Sequence, residues 1–212
     1  MRTPDLIALL AEDTAPVPRR AIAPRLIGVA LLGAFVSGLL LLAWLGLRPM
    51  RPAMHSPAFW MKAAYTLLIA TAGLLSTARL ARPGGQLGGA LGLAALAAAW
   101  LAVLATLETL RTPMPGMAHL WLGWSWYVCP FRILALAAPV FVAVLWWLRG
   151  MAPTRLALAG AAAGLFAGGI GATVYGLYCE ETAAAFVVVW YSIGMAACAA
   201  LGAAIGARLL RW

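Results

Sequence analysis

Six apolar stretches run through the chain, separated by short polar or charged breaks, at residues 25–47, 58–80, 87–110, 132–148, 154–177 and 184–207. Each is close to the roughly 20 residues that a helix needs to cross a ~30 Å hydrocarbon core. None alternates polar and apolar positions with the period of two that barrel strands require. In lipid, backbone groups must be satisfied within a helix or a closed barrel, so the pattern selects helices. The fourth stretch is the shortest, and Pro139 within it is expected to kink or tilt its helix. Ahead of the spans lies a polar tail, residues 1–24, in two parts. Thr3-Pro4-Asp5 is a helix start, with a hydroxyl cap, proline at the first helical position and an acid near the positive end of the dipole. The helix expected over 3–13 gathers Leu6, Ile7, Leu9 and Leu10 on an apolar face. It is too short to persist alone in water, so it must lie on a membrane or a partner. Three prolines and two arginines then make residues 14–24 an extended tether. The expected architecture is therefore an all-α integral membrane protein. A cytoplasmic tail, 1–24, precedes a six-helix transmembrane domain, 25–212.

Composition agrees. Of 212 residues, 65% are hydrophobic and only 10% charged, where a soluble domain carries about 25% charged residues to solvate its surface. The net charge of +9 does not indicate direct nucleic-acid binding, because the arginines fall singly or in pairs between apolar runs. That is a topology signal rather than a phosphate-binding patch. The first twenty residues hold three acids and three prolines and no signal-peptide core, so no cleavable signal is expected.

The charges orient the set. Arg2, Arg19, Arg20, Arg25, Arg79, Arg82, Arg149, Arg155, Arg208 and Arg211 fall at one end of the spans. Arg48, Arg51 and Arg111 fall at the other, with Lys62 and Arg132 just inside the adjoining helix ends. The positive-inside rule then puts both termini in the cytoplasm, and the loops holding His55, His119, Cys129 and Cys179 outside. In a bacterium that outer compartment is oxidising. Trp60, Trp121, Trp124, Trp126, Tyr127, Tyr178 and Trp212 lie where an interfacial aromatic belt is expected. Small residues four apart (Gly88 and Gly92; Gly160, Gly164 and Gly168; Gly202 and Gly206) mark close helix contacts.

Candidate chemistry gathers in two polar breaks. Tyr178-Cys179-Glu180-Glu181-Thr182 parts the fifth and sixth spans, and Cys129 stands in WYVCP before the fourth. Two outward cysteines without a CxxC spacing admit several readings: a redox-sensitive disulfide, a thiolate metal site, a permanent structural disulfide, or two unrelated small residues. Adjacent Glu180 and Glu181 disfavour a thiolate at Cys179. With His55, His119, Glu180 and Glu181 as accessory ligands, the cysteines are a candidate site for a soft metal ion, the one cofactor considered and none being required. Cys198, among alanines in the sixth span, reads as a small buried hydrophobe. Lys62 is expected to snorkel outward, and Glu108 to pair with Lys62 or Arg111 or to face solvent. No GxSxG, P-loop or acidic metal cluster supports a hydrolase or nucleotide site, and the chain is expected not to be an enzyme.

Further residues carry a likeness. They are Ala152-Pro153-Thr154-Arg155-Leu156 followed by LAGAAAGLFAGG, Tyr175 through Glu181, Phe186, Trp190-Tyr191 with Gly194, and Arg208 through Trp212. Upstream stand DLIALLAEDTAPV, Phe59-Trp60-Met61-Lys62, Arg82-Pro83, and Trp126 through Cys129-Pro130. Together they resemble the NrsF-type family, the negative regulators of sigma F, over essentially the whole chain. The resemblance implies a multi-pass anti-sigma factor of the bacterial inner membrane. Such a protein holds an extracytoplasmic-function sigma factor and releases it under metal or oxidative stress, with Cys129 and Cys179 matching the family's two outer sensor cysteines. On that reading the tail helix docks on the sigma factor: Leu6, Ile7, Leu9 and Leu10 supply apolar anchors, while Asp5, Glu12 and Asp13 meet basic helices. Two other classes stay open on the residues alone: a membrane thiol oxidoreductase using the outer cysteines, and a small transporter using Lys62 and Glu108.

Overall fold

In a computed structural model the chain is helical, and the structure describes residues 3 and 22–211. The tail helix expected over 3–13, with Asp5, Leu6, Ile7, Leu9, Leu10, Glu12 and Asp13, lies outside the described residues, as does Trp212. The helices are α1 (Ile22–Trp44), α2 (Met50–His55), α3 (Pro57–Leu80), α4 (Ala90–Arg111), α5 (Met117–Leu122), α6 (Cys129–Arg149), α7 (Leu156–Gly176) and α8 (Ala184–Leu209). Six of them, α1, α3, α4, α6, α7 and α8, are long and apolar enough to cross a membrane. No strand occurs among the described residues.

Local chemistry sets the ends. The fourth span begins at Cys129, three residues ahead of the stretch expected from hydropathy, because Pro130 occupies a first-turn position where its missing N–H costs nothing. The third span starts at Ala90, since Gly88 turns the chain at φ +51°. Short α2 and α5 fold within breaks that hydropathy reads as loop. Within α8, Val187–Tyr191 is a π-helical turn, an irregularity frequent at functional positions.

Helix α7 is the centre of the bundle, packed by α3, α6 and α8. Its glycines permit this on three sides. A methyl group at Gly160 or Gly202 would collide with the carbonyl of the other, and one at Gly164 with the carbonyl of Cys198. Toward α3, a Cβ on Gly169 would stand 2.7 Å from the Ala70 Cα, and toward α6, one on Gly171 would stand 2.7 Å from the Ala137 nitrogen. With little hydrophobic drive between helices in lipid, such backbone approach is a main source of cohesion. The pair Gly88 and Gly92 does not behave this way. Gly88 sits in the turn before α4, and Gly92 meets nothing within 4 Å among the described residues, so none of the described helices approaches α4 closely there. Helix α1 packs on α6, where a Cβ on Gly33 would meet the Val140 Cα at 2.7 Å and the Ser37 hydroxyl donates to Leu136 O at 2.7 Å. Pro139 of α6 lies within this contact, its carbonyl 3.2 Å from where a Gly33 Cβ would stand.

Candidate functional site: a buried thiol pair under a bridged loop

The connection from α7 to α8, residues 177–183, is held from every side. Its first turn continues the helix, with Cys179 N donating to Tyr175 O at 3.0 Å. Cys179 O then accepts from Lys62 Nζ at 2.8 Å and from Arg48 Nη1 at 2.9 Å, and Glu181 O accepts from Lys62 Nζ at 2.7 Å. One lysine of α3 and one arginine between α1 and α2 thus pin the loop by its backbone. Lys62 does not snorkel outward as the sequence suggests. It is 2% exposed, because two loop carbonyls supply inside the protein the solvation that the interface would otherwise provide.

The carboxylates serve the same loop. Glu181 Oε1 accepts from Trp124 N at 2.7 Å, Ser125 N at 3.2 Å and Ser125 Oγ at 3.3 Å. Gly123, at φ +57°, makes that turn possible, and a Cβ there would lie 2.7 Å from the same carboxylate. Glu108 neither pairs with Lys62 or Arg111 nor stands free in solvent. Its Oε2 accepts from Ala184 N at 2.7 Å and Ala185 N at 3.3 Å, a negative charge on the positive end of α8.

Two cysteine side chains are buried here, Cys179 from the loop itself and Cys129 from the start of α6. Cys129, the first residue of α6, is fully buried, Cys179 is 2% exposed, and both are free thiols. They belong to one buried cluster and are close enough to interact electrostatically with each other and with Lys62. Two tyrosines close the cluster. Tyr175 and Tyr191 are fully buried, and their hydroxyls have no hydrogen-bond partner among the described residues. Tyr175 and Tyr191 also pack against each other, with ring centroids 5.7 Å apart. A cavity of about 730 Å³ opens beside them, lined in part by Arg48, His119, Arg132, Tyr175, Cys179 and Glu181. Arg48 lies over the Phe59 ring at 5.1 Å and Arg132 over Tyr178 at 5.2 Å, so each cation faces an aromatic surface.

Of the residues singled out from sequence, Cys129, Cys179 and Glu181 come together here. Glu180 and His119 line the cavity but are exposed, and His119 meets Trp124 edge-on at 5.2 Å. His55 ends α2 and is exposed. Among the described residues no group of three or more His, Cys, Asp or Glu is placed to hold a metal ion. Cys198 is buried against Gly168 at the α7–α8 contact. From sequence Arg48 enters only as a topology charge, and Tyr175 and Tyr191 only as part of the family likeness. Gly123 is not singled out there, although a glycine in an aromatic-rich break is a local signal.

Comparison with known proteins adds a family to this geometry. The sequence profile described as negative regulator of sigma F matches residues 10–212. A protein of Caulobacter vibrioides (strain NA1000 / CB15N) named anti-sigma-F factor NrsF is 44% identical over 218 residues, covering 100% of both chains. One of Azospira oryzae, named probable anti-sigma-F factor NrsF, is 39% identical over 216 residues, again covering 100% of both. No solved structure matches the chain.

Proposed function

The chain belongs to the NrsF family of negative regulators of sigma F, and we propose that it is a membrane-bound anti-sigma factor whose thiol pair governs release of its partner. The family's names point to regulation rather than catalysis. In this reading the partner is a sigma factor of the extracytoplasmic-function class, held by the tail at residues 3–13. The membrane is the bacterial inner membrane, with both termini cytoplasmic and the thiols outside. The charge asymmetry of the loops supports that orientation.

The observation that carries the sensing half is the pair of free, buried thiols at a loop whose backbone is pinned by Lys62 and Arg48. Two thiols sharing one cluster can close a disulfide, giving two electrons and two protons to an oxidant. They can also bind a soft metal ion as thiolates, releasing two protons to water. Either event draws Cys179 toward Cys129 and strains the Lys62 and Arg48 bridges. Cys129 opens α6, α6 packs along α1 through Leu136 and Val140, and α1 begins where the tail ends. A shift of α6 on α1 thus repositions the tail root across the bilayer.

The test is a double variant, Cys129→Ser with Cys179→Ser, read by a sigma-dependent reporter. Repression without stress is expected to persist, and induction by oxidant or metal to be lost. A double variant that still responds normally to both kinds of stress would contradict the assignment.

A further inference from the structure

At the opposite end of the bundle, where α1 begins and α6 ends, two cavities adjoin. Arg25, Trp146, Trp147, Arg149, Gly150 and Met151 line one of about 410 Å³, with no acidic residue in its wall among the described residues. Trp147 is only 8% exposed, and its indole N–H has no hydrogen-bond partner among the described residues. Trp146, 73% exposed, also borders the second cavity, about 650 Å³, a trough between α1 and α6. That trough is apolar throughout, with Leu32, Val36 and Leu40 on one side and Ala138, Pro139 and Val142 on the other. It exists because α1 and α6 touch at Gly33–Val140 and Ser37–Leu136, while the alanines beside that contact are too small to fill the gap. From Trp146 to Ala135 the trough follows α6 for about 16 Å at 1.5 Å per residue. That is about half of a ~30 Å hydrocarbon core, one leaflet.

We propose that the two cavities are one binding site for an anionic phospholipid. The phosphate sits between Arg25 and Arg149 with the Trp147 N–H as a neutral donor, and one acyl chain lies in the α1–α6 trough. Two guanidinium groups without a carboxylate favour a headgroup of net negative charge over a zwitterionic one, whose ammonium they repel. A free inorganic anion would use the basic cavity and leave the trough empty. Arg25 stands at the root of the tail, so the bound lipid fixes the point from which the tail extends. The site stands whether or not the tail binds a sigma factor, and its test involves none.

The test is native mass spectrometry of the full-length protein. It is mixed with equimolar phosphatidylglycerol and phosphatidylcholine of identical acyl chains, with and without millimolar inorganic phosphate. Phosphatidylglycerol is expected to be retained in preference, unaffected by inorganic phosphate. Neutralising Arg25→Gln and Arg149→Gln is expected to weaken retention roughly five-fold per arginine. A third variant, Ala143→Phe, fills the trough while keeping both charges, and it too is expected to lose the lipid. Equal retention of the two lipids overturns the proposal, as does unchanged retention in any of the three variants. Displacement by inorganic phosphate overturns it in favour of a free-anion site, and a lipid-free dimer in favour of a contact between copies of the chain.

Discussion

Lys62 brings an ammonium group to 2% exposure in a helix long and apolar enough to cross a membrane, and donates hydrogen bonds to Cys179 O and Glu181 O. Hydrogen bonds to a charged group are worth about 1.5–3 kcal/mol each, and a tenfold change in an equilibrium needs about 1.4 kcal/mol. Lys62→Met removes both bonds, leaving Cys179 O to Arg48 and Glu181 O without this donor. Backbone amides of residues 177–183 are therefore expected to exchange with solvent at least ~10-fold faster in the variant, as local opening becomes cheaper. Unchanged exchange there would mean that the lysine does not hold the loop. This role was not legible in the sequence. Six residues into an apolar helix, a lysine reads as an interfacial anchor, and its true partners lie 117 and 119 residues further along. The same holds for Glu108, whose partners at Ala184 and Ala185 are set by the fold and by no spacing in the chain. Cys129 and Cys179 stand out in the sequence because cysteine in a polar break is rare and chemically distinct, although nothing local says that they share one buried cluster.

For whole elements the sequence is more informative, since hydropathy and small-residue spacing act within one helix. The stripes of α7 and α8 mark a real contact in which backbones touch, and the stripe at Gly88 and Gly92 marks none. Spacing records that a helix can be approached, while the neighbour that approaches is a tertiary matter. The two cases make a paired prediction. Gly164→Leu drives a side chain into the Cys198 carbonyl of α8, and overpacking costs typically 1–3 kcal/mol, more where backbone must move. Thermal unfolding in detergent is expected to show a loss of about 3 kcal/mol or more. Gly92→Leu, entering open space, is expected to change stability by less than about 1 kcal/mol, the helix propensity it gains. Similar losses in both would remove the distinction. The π-helical turn at Val187–Tyr191 was invisible beforehand, because VVVWY suits an ordinary helix and only packing against the cluster shows the extra residue.

As a whole the molecule sets two candidate sites at opposite ends of α6 and α1. At one, Cys129 and Cys179 are buried at a loop bridged by Lys62, Arg48 and Glu181. At the other, Arg25 and Arg149 face a basic cavity at the root of the tail. That the tail holds the sigma factor is the proposal on which the rest of the proposed function depends. It is tested by affinity purification of the full-length protein alongside a version lacking residues 1–20, with co-purifying proteins identified by mass spectrometry. A sigma factor recovered with the full-length protein and absent without the tail is the predicted result. Equal recovery with both would move the binding surface to the loops between spans, and recovery with neither would contradict the account.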